Sequence, residues 1–107
     1  MGETLELNES DFQVKVLEET QPVLIEFWSP SCGPCRLLVP TLNALAKAND
    51  GKAVVAKINI ATNASLAAKL GIASLPTLII FKNGQPVVRL SGVQKQAKLQ
   101  ELIDANV

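Results

Sequence analysis

The chain has 107 residues, 48% of them hydrophobic and 19% charged, with ten acidic and ten basic side chains. A chain of this length forms one hydrophobic core, so we expect a single domain over residues 1–107, and it lacks the run of roughly 20 apolar residues that crosses a membrane. It contains no histidine, which excludes the Cys–His and Ser–His–Asp hydrolases and removes the commonest metal ligand.

Nine elements are predicted from apolar runs and helical patterns. In chain order they are a strand at 4–7, a helix at 11–18, a strand at 23–28, a helix at 36–49, a strand at 53–60, a helix at 64–70, strands at 77–81 and 87–90, and a helix at 95–105. This order predicts an α/β fold with a central mixed five-stranded sheet flanked by four helices, joined by two right-handed crossovers and one hairpin.

Proline and glycine residues mark the ends and bends of these elements. Pro40 lies inside the second helix and should kink it. Gly71 ends the third helix as a C-terminal cap. The Asn83–Gly84 step predicts a tight antiparallel hairpin, and Pro86 indicates that the last strand lies at the edge of the sheet.

The only two cysteines lie three residues apart, where the second strand meets the second helix. Cys32 at this junction would face unpaired N–H groups and the positive end of the helix dipole, both of which stabilise a thiolate. The thiolate is the reactive form, so the placement indicates thiol chemistry. The alternatives are a structural disulfide, whose small ring would stabilise the fold little, and a metal-bridged dimer with two thiolates from each chain.

The charges are unevenly distributed along the chain. Residues 1–31 hold seven acids and one base, whereas residues 32–98 hold nine bases and one acid. These charges are either scattered over a solvated surface or form a basic field around the cysteines that favours thiolates and acidic partners. No basic run or aromatic cluster accompanies them, so we expect no nucleic-acid partner.

The N-terminal residues indicate where the protein acts. Segment 1–6 is acidic and lacks the basic and apolar regions of a secretory signal, and two cysteines are too few for a disulfide-stapled secreted scaffold. We therefore expect a cytoplasmic protein; the alternative is an organelle protein whose presequence has been removed.

A set of residues at characteristic spacing matches a known family. In order they are Phe27–Trp28, the C-G-P-C run at 32–35, Pro40, Lys57, Leu75–Pro76–Thr77, the F-K-N-G run at 81–84, and Gly92. On these residues the chain resembles the thioredoxin family over nearly its whole length. The resemblance implies a thioredoxin fold and a protein-disulfide reductase that works by reversible oxidation of a dithiol, without a cofactor or metal.

The resemblance also implies a role for each residue of the dithiol site. Cys32 would attack a substrate disulfide, and Cys35 would resolve the mixed disulfide by forming the redox disulfide Cys32–Cys35. Trp28, Pro40 and Gly84 would be structural. A cis Leu75–Pro76 peptide would face the cysteines. The surface that binds target proteins would comprise Gly33, Pro34, Ser74, Leu75, Pro76, Gly92 and Val93.

The implied partners are disulfide-containing target proteins and an upstream reductase, which would be flavin-dependent or ferredoxin-dependent. The protein would act as a monomer without nucleic acid or membrane. Ordinary loop packing is the alternative explanation for Leu75 and Val93.

Glu26 interrupts an otherwise apolar strand. A buried carboxylate is costly unless it stays protonated or finds a partner, and Lys57 in the strand expected to be adjacent is the natural partner. The functional interpretation is an acid/base with a raised pKa that accepts the proton of Cys35, directly or through water. The alternative is a structural buried pair.

The chain departs from the family at three positions. The family usually has aspartate at Glu26, tryptophan at Ser31 and often aspartate at Ala61. The changes lengthen the buried acid, remove an apolar contact from the target-binding surface and make the rim of the site more basic. They predict an atypical thioredoxin with narrowed or weakened activity; the alternative is a weakly active or inactive binding or regulatory module on the same scaffold.

Overall fold

The computed structural model describes residues 2–107. Its regular elements are β1 (Leu5–Leu7), β2 (Val23–Trp28), α1 (Gly33–Arg36), α2 (Val39–Ala48), β3 (Val54–Asn59), α3 (Ala64–Lys69), β4 (Thr77–Lys82), β5 (Gln85–Ser91) and α4 (Gln96–Asp104). A 3₁₀ turn at Glu9–Asp11 and a short π-type helix at Gln13–Leu17 connect β1 to β2. Within residues 2–107, no helix is both long and apolar enough to cross a membrane.

The five strands form one sheet in the order β1-β3-β2-β4-β5. Strands β1, β3 and β2 are parallel, whereas β4 runs antiparallel to both β2 and β5. The predicted mixed five-stranded sheet with four helices is therefore confirmed. Asn83 and Gly84 form the β4–β5 turn with φ of 53° and 77°, as a tight hairpin requires. Pro86 lies on β5, an edge strand as expected.

Side chains alternate between the two faces of the sheet, because successive residues of a strand point in opposite directions. On one face, Leu24 of β2 belongs to a buried cluster with residues of α2 and α4. On the other, Ile25 and Phe27 belong to a cluster with the π-type helix and α3. Both faces of β2 are thus buried, which explains why its sequence is apolar at consecutive positions.

The predicted helix at 36–49 is wrong in its outline. The structure divides it into α1, which begins earlier at Gly33, and α2, which begins at Val39. Pro40 occupies the first turn of α2, where its missing N–H leaves no hydrogen bond unmade, so it helps to start a helix instead of bending one. Leu38 and Leu42 still share one buried face, so the apolar spacing continues across the break.

The predicted helix at 11–18 is also replaced by shorter elements. Asn8 and Asp11 form reciprocal side-chain caps, and the Asn8 N–H donates to Asp11 Oδ2 at 2.8 Å. The Glu18 N–H then donates to the Gln13 carbonyl at 3.0 Å, five residues back, which widens the next turn. Phe12 and Val16, two apolar residues of this segment, are buried.

Candidate active site

One edge of the sheet brings together the segments predicted to form the site. Phe27 on β2 pairs with Thr77 on β4, and Thr77 pairs with Ser91 on β5. The residues just beyond these positions therefore emerge side by side at the same edge. They are the 29–32 loop after β2, the Leu75–Pro76 segment before β4, and the Gly92–Val93 segment after β5.

The dithiol lies where the first of these segments enters α1. Cys32 caps the helix N-terminus with extended backbone, and the Cys35 N–H donates to Cys32 Sγ at 3.2 Å. A sulfur that accepts a helix N–H is stabilised as an anion when the pair is reduced. The two sulfurs are bonded at 2.11 Å, so the structure represents the oxidised form.

The two sulfur-bearing residues differ in accessibility. Cys32 is half-buried, whereas only 3% of Cys35 is exposed. A macromolecular disulfide therefore has access to Cys32 before Cys35. Three hydrogen bonds hold the preceding loop. The Cys32 N–H donates to the Ser29 carbonyl at 3.1 Å, the Ser29 and Ser31 hydroxyls lie 3.1 Å apart, and Arg36 Nη2 donates to the Pro30 carbonyl at 3.2 Å.

The remaining predicted surface residues lie around the cysteines' edge of the sheet. The Leu75–Pro76 peptide is cis, and the Gly92 N–H donates to the Pro76 carbonyl at 2.9 Å. Pro76 is buried and Leu75 and Gly92 are half-buried. The exposed members are Gly33, Pro34, Ser74 and Val93. Val93 is 46% exposed, which leaves its side chain available for contact with a partner.

Glu26 lies in a cavity behind the disulfide. The cavity measures about 260 Å³, and its lining includes Glu26, Cys35, Arg36 and Lys57. Glu26 is 1% exposed, and its Oε2 has no hydrogen-bond partner among residues 2–107. Burial raises the pKa of Glu26 to about 7, although the positive charge of Lys57 acts to lower it. The carboxyl group can therefore exchange a proton near neutral pH on the Cys35 side of the site.

Lys57 pairs with Glu26 in the β2–β3 register, as predicted for adjacent strands. Its Nζ lies 3.7 Å from Glu6 Oε1 and 5.4 Å from the centre of the Trp28 ring. Trp28 Nε1 in turn donates to Glu6 Oε2 at 3.3 Å. Lys57 therefore forms its ion pair with Glu6 and acts on Glu26 through its charge, while the charge of Glu6 contributes to raising the pKa of Glu26.

Glu6 is a site residue that the sequence analysis missed. It lies opposite Lys57 in the β1–β3 register. In the sequence it was one of seven acids in residues 1–31 and had no assigned role. The signal that identifies it is the pairing of β1 with β3, which places an acid and a base side by side.

Two residues expected to be structural have local roles. Gly84 has a φ of 77°, and a Cβ there would lie 3.0 Å from the Leu17 carbonyl oxygen. Another residue would therefore strain the turn and crowd the end of the π-type helix. Pro40 is exposed in the first turn of α2, where its fixed φ favours the start of that helix.

Comparison with known proteins identifies the family. The family model described as Thioredoxin matches residues 3–105. The chain is 36% identical over 107 residues to "Thioredoxin" of Haemophilus influenzae, covering 100% of both chains. It is 41% identical over 97 residues to "Thioredoxin" of Alicyclobacillus acidocaldarius, covering 91% of each. It is 38% identical over 104 residues to "Bifunctional thioredoxin reductase/thioredoxin" of Mycobacterium leprae, covering 96% of this chain and 23% of that protein. The chain therefore belongs to the thioredoxin family, and it is a thiol–disulfide oxidoreductase with its redox-active pair at Cys32 and Cys35.

Proposed function

We propose that residues 1–107 act as a single cytoplasmic thioredoxin domain that reduces disulfides of target proteins, with Cys32 as nucleophile and Cys35 as resolving thiol. The observation that carries this assignment is the Cys35 N–H on Cys32 Sγ at the start of α1, with Cys35 buried behind it. The more accessible sulfur is the one that this helix end would stabilise as a thiolate.

The reaction follows two exchanges that balance in atoms and electrons. The Cys32 thiolate attacks one sulfur of the target disulfide, forms a mixed disulfide and releases the first target thiolate. The Cys35 thiolate then attacks Cys32 Sγ, which forms the Cys32–Cys35 disulfide and releases the second target thiolate. The target gains two electrons and the dithiol loses two, so a separate reductase must return the dithiol to its reduced form.

Glu26 is proposed to take the proton from the Cys35 thiol before the second exchange. Both residues line the same cavity, and the raised pKa of Glu26, about 7, suits proton transfer at neutral pH. The positive charge of Lys57 would stabilise the Glu26 carboxylate once it forms. Lys57 also keeps its ion pair with Glu6.

Target proteins are proposed to bind across the sheet edge beside Cys32. This surface comprises Gly33, Pro34, Ser74, Leu75, Pro76, Gly92 and Val93. An extended segment that flanks the target disulfide could form backbone hydrogen bonds there, because proline supplies no donor of its own and leaves neighbouring groups to pair.

The direct test is reduction of a protein with an interchain disulfide, such as insulin, with dithiothreitol as the initial donor. We expect turnover that requires the Cys32/Cys35 dithiol, and no turnover under any reductant would refute the proposal. Recovery of the protein from the cytoplasmic fraction of its own cells would test the proposed location, and its mass in solution would test the monomeric state.

The upstream donor is proposed to be a dedicated reductase. The Mycobacterium leprae relative, whose name joins a thioredoxin reductase to a thioredoxin, supports such a partnership. A coupled assay that offers a flavin-dependent reductase and a ferredoxin-dependent reductase in turn would distinguish the two classes. We expect no binding to nucleic acid or to lipid vesicles in the same preparations.

Ser31→Trp is expected to lower the KM for a protein disulfide about threefold to tenfold. Ser31 is exposed beside Cys32, and an indole there would bury additional apolar area against a docked protein; about 50 Å² of it corresponds to roughly 1 kcal/mol. Steady-state kinetics with a protein disulfide and a small aromatic disulfide would measure the effect, which should be confined to the protein substrate.

Ser31→Ala is the matched control for this substitution. It removes the hydroxyl that contacts Ser29 without adding apolar area. An unchanged KM in Ser31→Trp would show that position 31 does not contact the target, and an equal change in Ser31→Ala would attribute the effect to the hydroxyl pair.

A further inference from the structure

Arg89, on the edge strand β5, makes two hydrogen bonds to the chain that leaves α3. Its Nη1 donates to the Leu70 carbonyl and its Nη2 to the Gly71 carbonyl, both at 2.7 Å. Carbonyls at a helix C-terminus lack the partners of the helix interior, and a cation is favoured there. The fixed fork of a guanidinium matches two neighbouring acceptors in a way that a lysine ammonium cannot.

These two carbonyls begin the α3–β4 loop (residues 70–76). Gly71, with a φ of 65°, turns the chain away from α3. The loop then passes through Ser74 and Leu75 to Pro76, three residues of the proposed target-binding surface. A short segment therefore joins the two carbonyls that Arg89 contacts to residues of that surface.

The end of the loop that leads into β4 is held by other bonds. The Gly92 N–H donates to the Pro76 carbonyl at 2.9 Å, and Thr77 Oγ1 donates to the Ser74 carbonyl at 2.6 Å. At the beginning of the loop, Arg89 supplies the hydrogen bonds from the sheet, and Leu70 and Ile72 pack against the core. Residues 70–76 are thus fixed to the sheet at both ends.

A single strand and its continuation provide most of these contacts. Arg89 and Ser91 are two residues apart on β5, so their side chains point to the same face. Ser91 Oγ lies 3.5 Å from Ser74 Oγ, and Gly92 follows directly. The end of β5 therefore contacts the loop at its start, middle and end.

We propose that Arg89 is a positioning residue for target docking, which holds the α3–β4 loop in the conformation that receives an extended segment of a protein disulfide. This inference rests on the docking surface proposed above. Small disulfides that reach Cys32 without lying along the loop should not depend on Arg89, so the two substrate classes separate its role from that of the dithiol.

The test compares Arg89→Met with Lys82→Met. Lys82 is a matched control because its Nζ also donates to a backbone carbonyl, that of Thr20, at 2.7 Å. It lies at the end of β4 that is farther from the dithiol. We expect Arg89→Met to raise the KM for a protein disulfide about threefold to tenfold, the effect of losing hydrogen bonds that hold a binding surface. The kcat and the rate with a small aromatic disulfide should stay within about twofold of the wild-type values, as should every parameter of Lys82→Met.

Amide hydrogen exchange supplies a readout that does not depend on activity. In Arg89→Met we expect faster exchange at residues 72–75 and unchanged exchange in β2, because the loop would open locally without unfolding the sheet. Lys82→Met should leave the loop amides as they are in the wild type. Arg89→Lys should be intermediate, since it keeps the charge and loses the two-pronged contact.

An unchanged protein-disulfide KM in Arg89→Met would overturn the inference, as would an equal rise in Lys82→Met or unchanged exchange in the α3–β4 loop. If the wild-type protein failed to reduce the protein disulfide at all, the proposed function would be refuted instead. The exchange rates would then still decide whether Arg89 holds the loop.

Discussion

Cys32→Ser is expected to abolish protein-disulfide reduction, with a loss of roughly a thousandfold or more in kcat/KM, as for other enzymes that lose their nucleophile. A serine hydroxyl at this position can still accept the hydrogen bond from the Cys35 N–H. It ionises only far above neutral pH, however, and cannot form a disulfide. Initial rates of insulin reduction with excess dithiothreitol, corrected for the uncatalysed rate, measure the loss.

Cys35→Ser is the matched control, because it leaves the more accessible sulfur in place. The first exchange should proceed and the second should stop, so target proteins should accumulate as mixed disulfides on Cys32. Mass spectrometry of the trapped species would identify the attached cysteine. Attachment through residue 35 in the Cys32→Ser protein at a comparable rate would contradict the assignment of roles, which depends on the burial of Cys35.

The double substitution Cys32→Ser with Cys35→Ser separates catalysis from simple binding. A redox carrier should lose its stable complexes when both sulfurs are removed. Complexes that persist at wild-type affinity would favour the alternative of a binding or regulatory module, for which Ser31 and Glu26 were the sequence arguments.

Local sequence patterns predicted most of the fold because they reflect burial and turn geometry directly. The apolar run at 23–28 predicted a central strand because β2 is covered on both faces. The Asn83–Gly84 step predicted the hairpin because both residues adopt a positive φ. The break between α1 and α2 escaped prediction, since Leu38 and Leu42 keep helical spacing across it.

The residues that sequence reasoning missed act through contacts between distant segments. Glu6 reaches Lys57 only because β1 pairs with β3. Arg89 reaches the end of α3 across 18 and 19 positions of the chain. Neither residue has a neighbour in sequence that reveals its partner. The cysteines and Glu26 were found because a motif, and a charge within an apolar strand, are visible locally.

Glu26→Gln is expected to stabilise the oxidised protein more at pH 8 than at pH 4. The difference in free energy of unfolding between the variant and the wild type should be about 3 kcal/mol larger at pH 8. Burial raises the pKa of Glu26 from 4.5 to about 7 in the folded protein. Below pH 4.5 the carboxyl is protonated in both states and makes no pH-dependent contribution.

Between these two pKa values the unfolded chain has lost the proton and the folded protein retains it. Unfolding then releases a proton, so wild-type stability falls as the pH rises from about 4.5 to about 7 and stays low above that range. Glutamine is neutral and similar in size, so it removes this slope. Denaturant unfolding at a series of pH values between 4 and 8 would measure the difference.

Glu6→Gln is the control for the Coulombic part of this effect. It removes an exposed carboxylate whose charge helps to raise the pKa of Glu26, while Glu26 itself still titrates. Its stability should therefore fall with rising pH as that of the wild type does, by a smaller amount. The slope is the decisive quantity, because a buried amide can shift the whole curve by a constant amount. Parallel curves for Glu26→Gln and the wild type would show that Glu26 does not titrate in this range.

The same substitution should slow the second exchange of the catalytic cycle by about a hundredfold or more at neutral pH, the usual contribution of a positioned general base. The first exchange, at Cys32, should be little affected. Rapid quenching should therefore reveal a transient mixed disulfide that the wild-type protein resolves too quickly to accumulate.

Lys57→Met tests the same mechanism by changing the pKa of the base. Lys57 lowers the pKa of Glu26, so its removal should move the pH midpoint of the second exchange upward while Glu26 still serves as the base. A midpoint that moved downward, or a second exchange unaffected by Glu26→Gln, would assign Glu26 to structure alone.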